Sequence, residues 1–146
     1  MPAVQGKVGN ILAMLAWSDD LDVGNPMIDS DHRHLVALVN QLAEALSTRE
    51  APAELGRILG ELLTFTTAHF AREEQLMQRI GYLDFAAHKS QHDGLLSDIA
   101  KLQRSFHRGE IALSERSSAF LCEWLLRHIR TSDRLLGKVA GSLVAA

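Results

Sequence analysis

The chain is short of the residues that build disulfide-stapled, membrane-embedded or nucleic-acid-binding proteins. One cysteine, Cys122, stands among 146 residues, so no internal disulfide can form and a disulfide-built secreted domain is excluded. Basic residues are not in excess. Fifteen Lys plus Arg against 18 Asp plus Glu give a formal net charge of -3, which argues against a nucleic-acid partner. No apolar run approaches the roughly 20 residues that span a bilayer, so no membrane association is expected. The short apolar stretch 11–17 has no cleavage site after it, so a signal peptide is not expected and a cytoplasmic protein is. Three prolines and 10 glycines leave long uninterrupted segments rich in Leu and Ala, which favour helices. The excess is in histidine: there are 7, against a single tyrosine.

Four segments carry helical periodicity. The first runs from about Asp29 to Leu46, with Ile28, Leu35, Val39, Leu42 and Leu46 on one seam and His32 filling its gap. The second begins near Pro52 and ends at Gly81, with a seam of Leu55, Leu59, Leu62, Thr66, His69, Glu73, Leu76 and Ile80. The third opens near Asp84 and closes before Gly109, with Phe85, His88, His92, Leu95, Ile99, Leu102 and Phe106 inward. The fourth runs from Leu113 or Ser114 to about Gly137, with Leu121, Trp124, Leu125, His128, Ile129 and Leu136 inward. Short connections make neighbours antiparallel. The expected fold is therefore all-α: an up-down-up-down four-helix bundle over residues 28–137. Residues 1–27 form an N-terminal arm, where Val4, Val8, Ile11, Leu12 and Leu15 share a helical face, and 138–146 a frayed tail.

His32, His69, Glu73, His88, His92 and His128 all stand where a bundle seam wants leucine. An unpartnered polar group in a core costs roughly 1 to 3 kcal/mol, and an isolated charge far more. Six of them would exceed the roughly 5 to 15 kcal/mol by which a domain is stable, so something must compensate them together. Five imidazoles outnumber the acids available to pair with them; a metal cluster would satisfy all. His69 and Glu73 are i, i+4, as are His88 and His92, so each pair projects into one volume. His128 and Asp133 are i, i+5, about 140° apart on an ideal helix, so Asp133 must reach in from the edge of the apolar face.

Ligand type limits the metal. Imidazoles with carboxylates suit iron, zinc, copper or nickel, whereas calcium and magnesium want oxygen cages. Seven ligands are too many for one tetrahedral zinc, and two metals bridged by carboxylates would use them. Neither HExxH nor Glu-x-x-His occurs. His34 and His107 fall off the seams and are expected at the surface; Met77 and Cys122 are expected to pack as core residues.

These residues resemble the hemerythrin family, specifically its single-domain bacterial members. The likeness spans Trp17 to about Leu136 and is carried by Trp17-Ser18-Asp19-Asp20, by Ile28 to Leu35 with Asp31-His32, and by His69-Phe70-Ala71-Arg72-Glu73-Glu74. Gly81-Tyr82, His88-Lys89-Ser90-Gln91-His92, Trp124 to Ile129 and Asp133 complete it. Leu83 departs from the proline that many members carry after Gly-Tyr, and the arm is longer than usual. The resemblance implies a non-haem di-iron centre, two Fe ions per chain with an oxo or hydroxo bridge. His88, His92 and His128 would hold one iron and His32 and His69 the other, with Glu73 and Asp133 bridging. The second iron then has one donor fewer, and that open position is where O2 would bind. The family likeness also implies an O2 pocket walled by Leu35, Phe70, Trp124, Leu125 and Ile129. The implied function is reversible O2 binding for storage, delivery or scavenging, not enzymatic. Alternatives are an O2 or redox sensor acting through a separate, unknown partner, a peroxide- or NO-reducing enzyme, and a zinc or mixed-metal store.

Overall fold

The computed structural model describes residues 16–110 and 112–145, and among them only helices, turns and loops occur. The periodicity in the sequence has become four long helical rods. After a short 3-10 turn, Asp19–Leu21, α1 spans Pro26–Ser47, α2 Pro52–Arg79, α3 Phe85–His107 and α4 Glu115–His128. A π-helical segment, Ile129–Asp133, joins α4 without a break to α5, Arg134–Ala145. α1 packs against α2 and α4, and α2 against α3. This is the four-helix bundle that the alternating seams require.

Local chemistry explains the helix ends. The Asn25 side chain accepts from the Ile28 amide at 3.1 Å, and Pro26 fills the first helical position, so α1 starts three residues before Asp29. α2 stops where Gly81 takes φ +63°, a left-handed conformation that lets the Tyr82 amide reach back to the Met77 carbonyl at 2.9 Å. Gly109, at φ +71°, ends α3 the same way. The seam residues form one core, in which Leu42, Leu59, Ile129 and Leu136 are wholly buried.

Three details differ from the sequence reading. The last rod does not end at Gly137: α5 continues to Ala145, Val139 packs on the core and Ala140 is buried, so 138–145 is helix rather than a frayed tail. Gly137 lies inside the rod and is small because Val23 crosses it: a Cβ there would lie 2.2 Å from the Val23 carbonyl oxygen. Part of the arm belongs to the bundle, since Leu21 and Val23 are buried in its core and Met27 lies within α1. Val4, Val8, Ile11, Leu12 and Leu15 lie outside the described residues. Met77 and Cys122 are buried, and His34 and His107 are exposed.

Candidate metal centre

All seven of the polar residues singled out from the sequence meet in one place inside the bundle. His32 comes from α1, His69 and Glu73 from α2, His88 and His92 from α3, His128 from α4 and Asp133 from the π segment; each is buried. Their donor atoms form two overlapping groups, within 4.8 Å of one another in each: Glu73, His88, His92, His128 and Asp133 in one, His32, His69, Glu73 and Asp133 in the other.

The carboxylates divide their oxygens between the groups. Glu73 Oε1 lies 3.2 Å from both His88 Nε2 and His92 Nε2, while Oε2 lies 2.8 Å from His69 Nε2 and 3.5 Å from His32 Nε2. Asp133 Oδ1 lies 3.0 Å from His88 Nε2 and 3.2 Å from His128 Nε2, and Oδ2 lies 2.9 Å from His32 Nε2. Crowding is not pairing, however. Both oxygens of Glu73 and of Asp133, His69 Nε2 and both ring nitrogens of His32 are buried without a hydrogen bond. On the other side, three imidazole nitrogens converge edge to edge, with His128 Nε2 3.2 Å from that of His88 and 3.1 Å from that of His92. Donor atoms aimed at a shared volume, many of them without a hydrogen bond, fit cations better than a closed hydrogen-bond network. The nitrogen and carboxylate donor set suits a first-row transition metal.

Asp133 gets there through the π segment. On an α-helix, i+5 falls about 140° away. In a π turn the hydrogen bonds run i to i+5 and five residues close slightly more than one turn, so Asp133 comes round beneath His128. The wider turn therefore removes the misfit that regular spacing gave this pair.

A ring of outer partners fixes the imidazoles, and sequence reasoning missed it. His69 Nδ1–H donates to Asp31 Oδ2 at 2.9 Å, an oxygen that also accepts from Arg72 Nε at 2.8 Å. His92 Nδ1–H donates to Glu74 Oε2 at 2.9 Å, and His128 Nδ1–H to Gln91 Oε1 at 2.9 Å, where Ser132 Oγ–H also donates at 2.7 Å. Each of these protonates Nδ1 and leaves Nε2 with a lone pair toward the centre. A signal was present: Asp31, Glu74 and Gln91 each adjoin a centre residue in sequence. One position along a helix turns the side chain by about 100°, toward the next helix rather than the middle. Each helix thus supplies the partner for an imidazole on the following one.

Charge in the centre follows from the same contacts. Burial opposes ionisation of Glu73, but four surrounding imidazoles hold its carboxyl well below the usual range. Burial and Glu73 raise Asp133, and His128 and His32 more than offset them, leaving it below the ordinary value. Burial pulls His32 and His88 down, yet the nearby Asp133 and Glu73 bring each up to about 9. Burial dominates at His128, which is lowered.

Two of the expected pocket residues lie against imidazoles of the centre. Phe70 stacks flat on His92 at 3.7 Å and 3°, and Trp124 on His128 at 4.5 Å and 19°. Leu35, Leu125 and Ile129 are buried, and Trp124 is half-buried. Tyr82 is close too: its ring is 6.3 Å from that of His88, and burial, then Asp84 and Asp133, raise its hydroxyl above the usual value.

Comparison with known proteins gives a consistent picture. Residues 23–140 match the family model described as "Hemerythrin HHE cation binding domain". The chain is 36% identical over 123 residues to a bacteriohemerythrin of Stenotrophomonas maltophilia, covering 84% of this chain and 79% of that one. It is 35% identical over 127 residues to a bacteriohemerythrin of Methylococcus capsulatus, covering 86% and 96%. A crystal structure of wild-type hemerythrin superposes with a TM-score of 0.83 at 34% identity, over 86% of this chain and 97% of the other.

Proposed function

The chain belongs to the hemerythrin family, and from that premise we propose that it binds O2 reversibly at a non-haem di-iron centre, two irons per chain. The observation that carries this reading is the division of two buried carboxylates between a three-imidazole group and a two-imidazole group. His88, His92 and His128 would hold one iron, His32 and His69 the other, and Glu73 and Asp133 both. An iron pair, when bound, supplies two electrons to O2 and recovers them on release.

The protein's own part is to orient, exclude water and withhold protons. Asp31, Glu74 and Gln91 fix three imidazoles in the donor tautomer. The group with fewer imidazoles would leave room for a diatomic beside His32 and His69. By the family likeness Leu35, Phe70, Trp124, Leu125 and Ile129 would line the approach to it, Phe70 and Trp124 from the side of His92 and His128. Such apolar surface offers no acid to protonate O2 and favours carrying it over cleaving it. Tyr82 does not change this, because it sits against His88 and its proton is held more tightly than in an ordinary tyrosine. No helix among the described residues is long and apolar enough to cross a membrane. We place the protein in the cytoplasm, storing, delivering or scavenging O2.

The test is visible absorption of iron-loaded, anaerobically reduced protein, before and after air and again after purging, with iron measured per chain. A charge-transfer band that comes with air and leaves on purging, at two irons per chain, supports the reading. A stable ferric spectrum formed at once, or sustained turnover of peroxide or nitric oxide with a reductant, would replace it with a sensor or an enzyme. A preparation that takes up zinc and refuses iron would remove the di-iron assignment.

A further inference from the structure

We infer that residues 17–25 are a clasp that sets where Asp133 stands relative to His32, and so position the carboxylate that the two donor groups share. The inference rests on reading Asp133 as a shared ligand. On one side the segment is tied to α1 at residues flanking His32. The Val23 amide donates to Asp29 Oδ1 at 2.8 Å and the Gly24 amide to Asp29 Oδ2 at 3.3 Å. Arg33 donates to Asp22 Oδ1 at 3.0 Å and lies 4.9 Å over the Trp17 ring. On the other side it is tied to residues flanking Asp133. Asp20 Oδ2 is 3.1 Å from Arg130 Nη2 within the π segment, and the Asp20 carbonyl accepts from Arg134, the residue after Asp133.

One turn further on, Val23 lies directly on Gly137, where an added Cβ would come 2.2 Å from its carbonyl oxygen and 2.9 Å from its Cβ. The two carriers so joined hold His32 Nε2 2.9 Å from Asp133 Oδ2.

The contacts are not of equal weight. The Asp20–Arg130 pair is about half exposed on both sides and holds weakly. The buried Val23–Asp29 bond and the Val23–Gly137 packing are shielded from water and carry the clasp. Glycine inside a helix is ordinarily worse than alanine, so its presence at 137 is explained by the crossing and not by helix formation. A π turn is a local excursion that an α-helix can relax out of. Relaxation would swing Asp133 away from His128, and a strap fastened on both sides of that turn opposes it.

The experiment uses full-length Gly137→Ala and Asp29→Ala, with Leu59→Ala on α2 as a core truncation elsewhere. Hydrogen exchange of metal-free protein is read at residues 129–137 and across α2. Ferrous iron release to a chelator is read on loaded protein. The clasp predicts exchange at 129–137 faster by about tenfold with a much smaller change in α2, and release about tenfold faster than melting temperature accounts for. Exchange that rises uniformly along the helices, or release that tracks melting temperature alike in all three variants, would overturn it. Should Gly137→Ala not fold, Asp29→Ala leaves α5 untouched and decides the question by the same readings. Local exchange as predicted, in a wild type that binds no iron, would uphold the clasp and sink the di-iron reading instead.

Discussion

Asp133 Oδ1 lies 3.2 Å from His128 Nε2 although the two residues are five apart in the chain. Only the π segment between them allows this, since an α-helix would set them about 140° apart. His128 in turn stands 3.1 to 3.2 Å from His92 and His88, so one irregular turn completes the three-imidazole group and places the carboxylate it shares.

Truncating this group should empty the centre. In His128→Ala or His88→Ala, iron measured per chain by elemental analysis should fall from about two to near zero, because metal affinity depends steeply on ligand count. Circular dichroism should still show a helical protein. Full iron content in either variant would remove that residue from the ligand set.

Gln91→Ala removes the acceptor that holds the Nδ1 proton of His128. Iron affinity should drop by about 10 to 100-fold, as for other outer partners of metal-binding histidines, with little change in melting temperature. Chelator competition measures it. An unchanged affinity would show that Gln91 does not govern the tautomer.

Leu125 is buried three residues before His128, and Leu125→Ala should cost roughly 2 to 5 kcal/mol of stability. Its iron should remain, and autoxidation, followed as decay of the oxygenated spectrum, should accelerate as water gains entry. If the decay rate does not move, Leu125 is packing and not a gate.

The metal-free protein should lose stability as pH rises. His32 and His88 are brought up to about 9 by their carboxylate neighbours, so the stability they contribute is complete below the ordinary histidine value of 6.5 and disappears through about 9. Glu73 and Asp133 are held below the usual carboxylate range, so their contribution is present above about 4 and lost on acidification. His128 is lowered by burial, and its penalty grows only below 6.5. Thermal melts from pH 5 to 10 should therefore fall on the alkaline side. With iron bound the fall should vanish, because ligation requires neutral imidazoles and tightens as pH rises. A flat metal-free profile between 6.5 and 9 would show that the two histidines are not ion-paired in the empty centre.

Much of this was legible in the chain because helical periodicity and burial are local properties. A histidine at a seam position of an amphipathic helix must face the core, so His32, His69, His88, His92 and His128 were identifiable from spacing alone. The outer partners were less visible: Asp31, Glu74 and Gln91 lie off the seams and look like solvated polar residues until the neighbouring helix is in place. Tyr82 was hidden for a similar reason. It follows the Gly81 turn, and only the fold carries that turn back over His88.

The sequence by itself determined the helices, their order and which polar side chains are buried together, because periodicity of about 3.6 residues assigns each side chain to a face. Tertiary structure decided what no periodicity encodes. It placed the π turn that brings Asp133 under His128, divided the oxygens of Glu73 and Asp133 between two imidazole groups, and passed Val23 over Gly137. Each of these depends on the distance between separate elements, and that distance is fixed only when the side chains of all four helices pack at once.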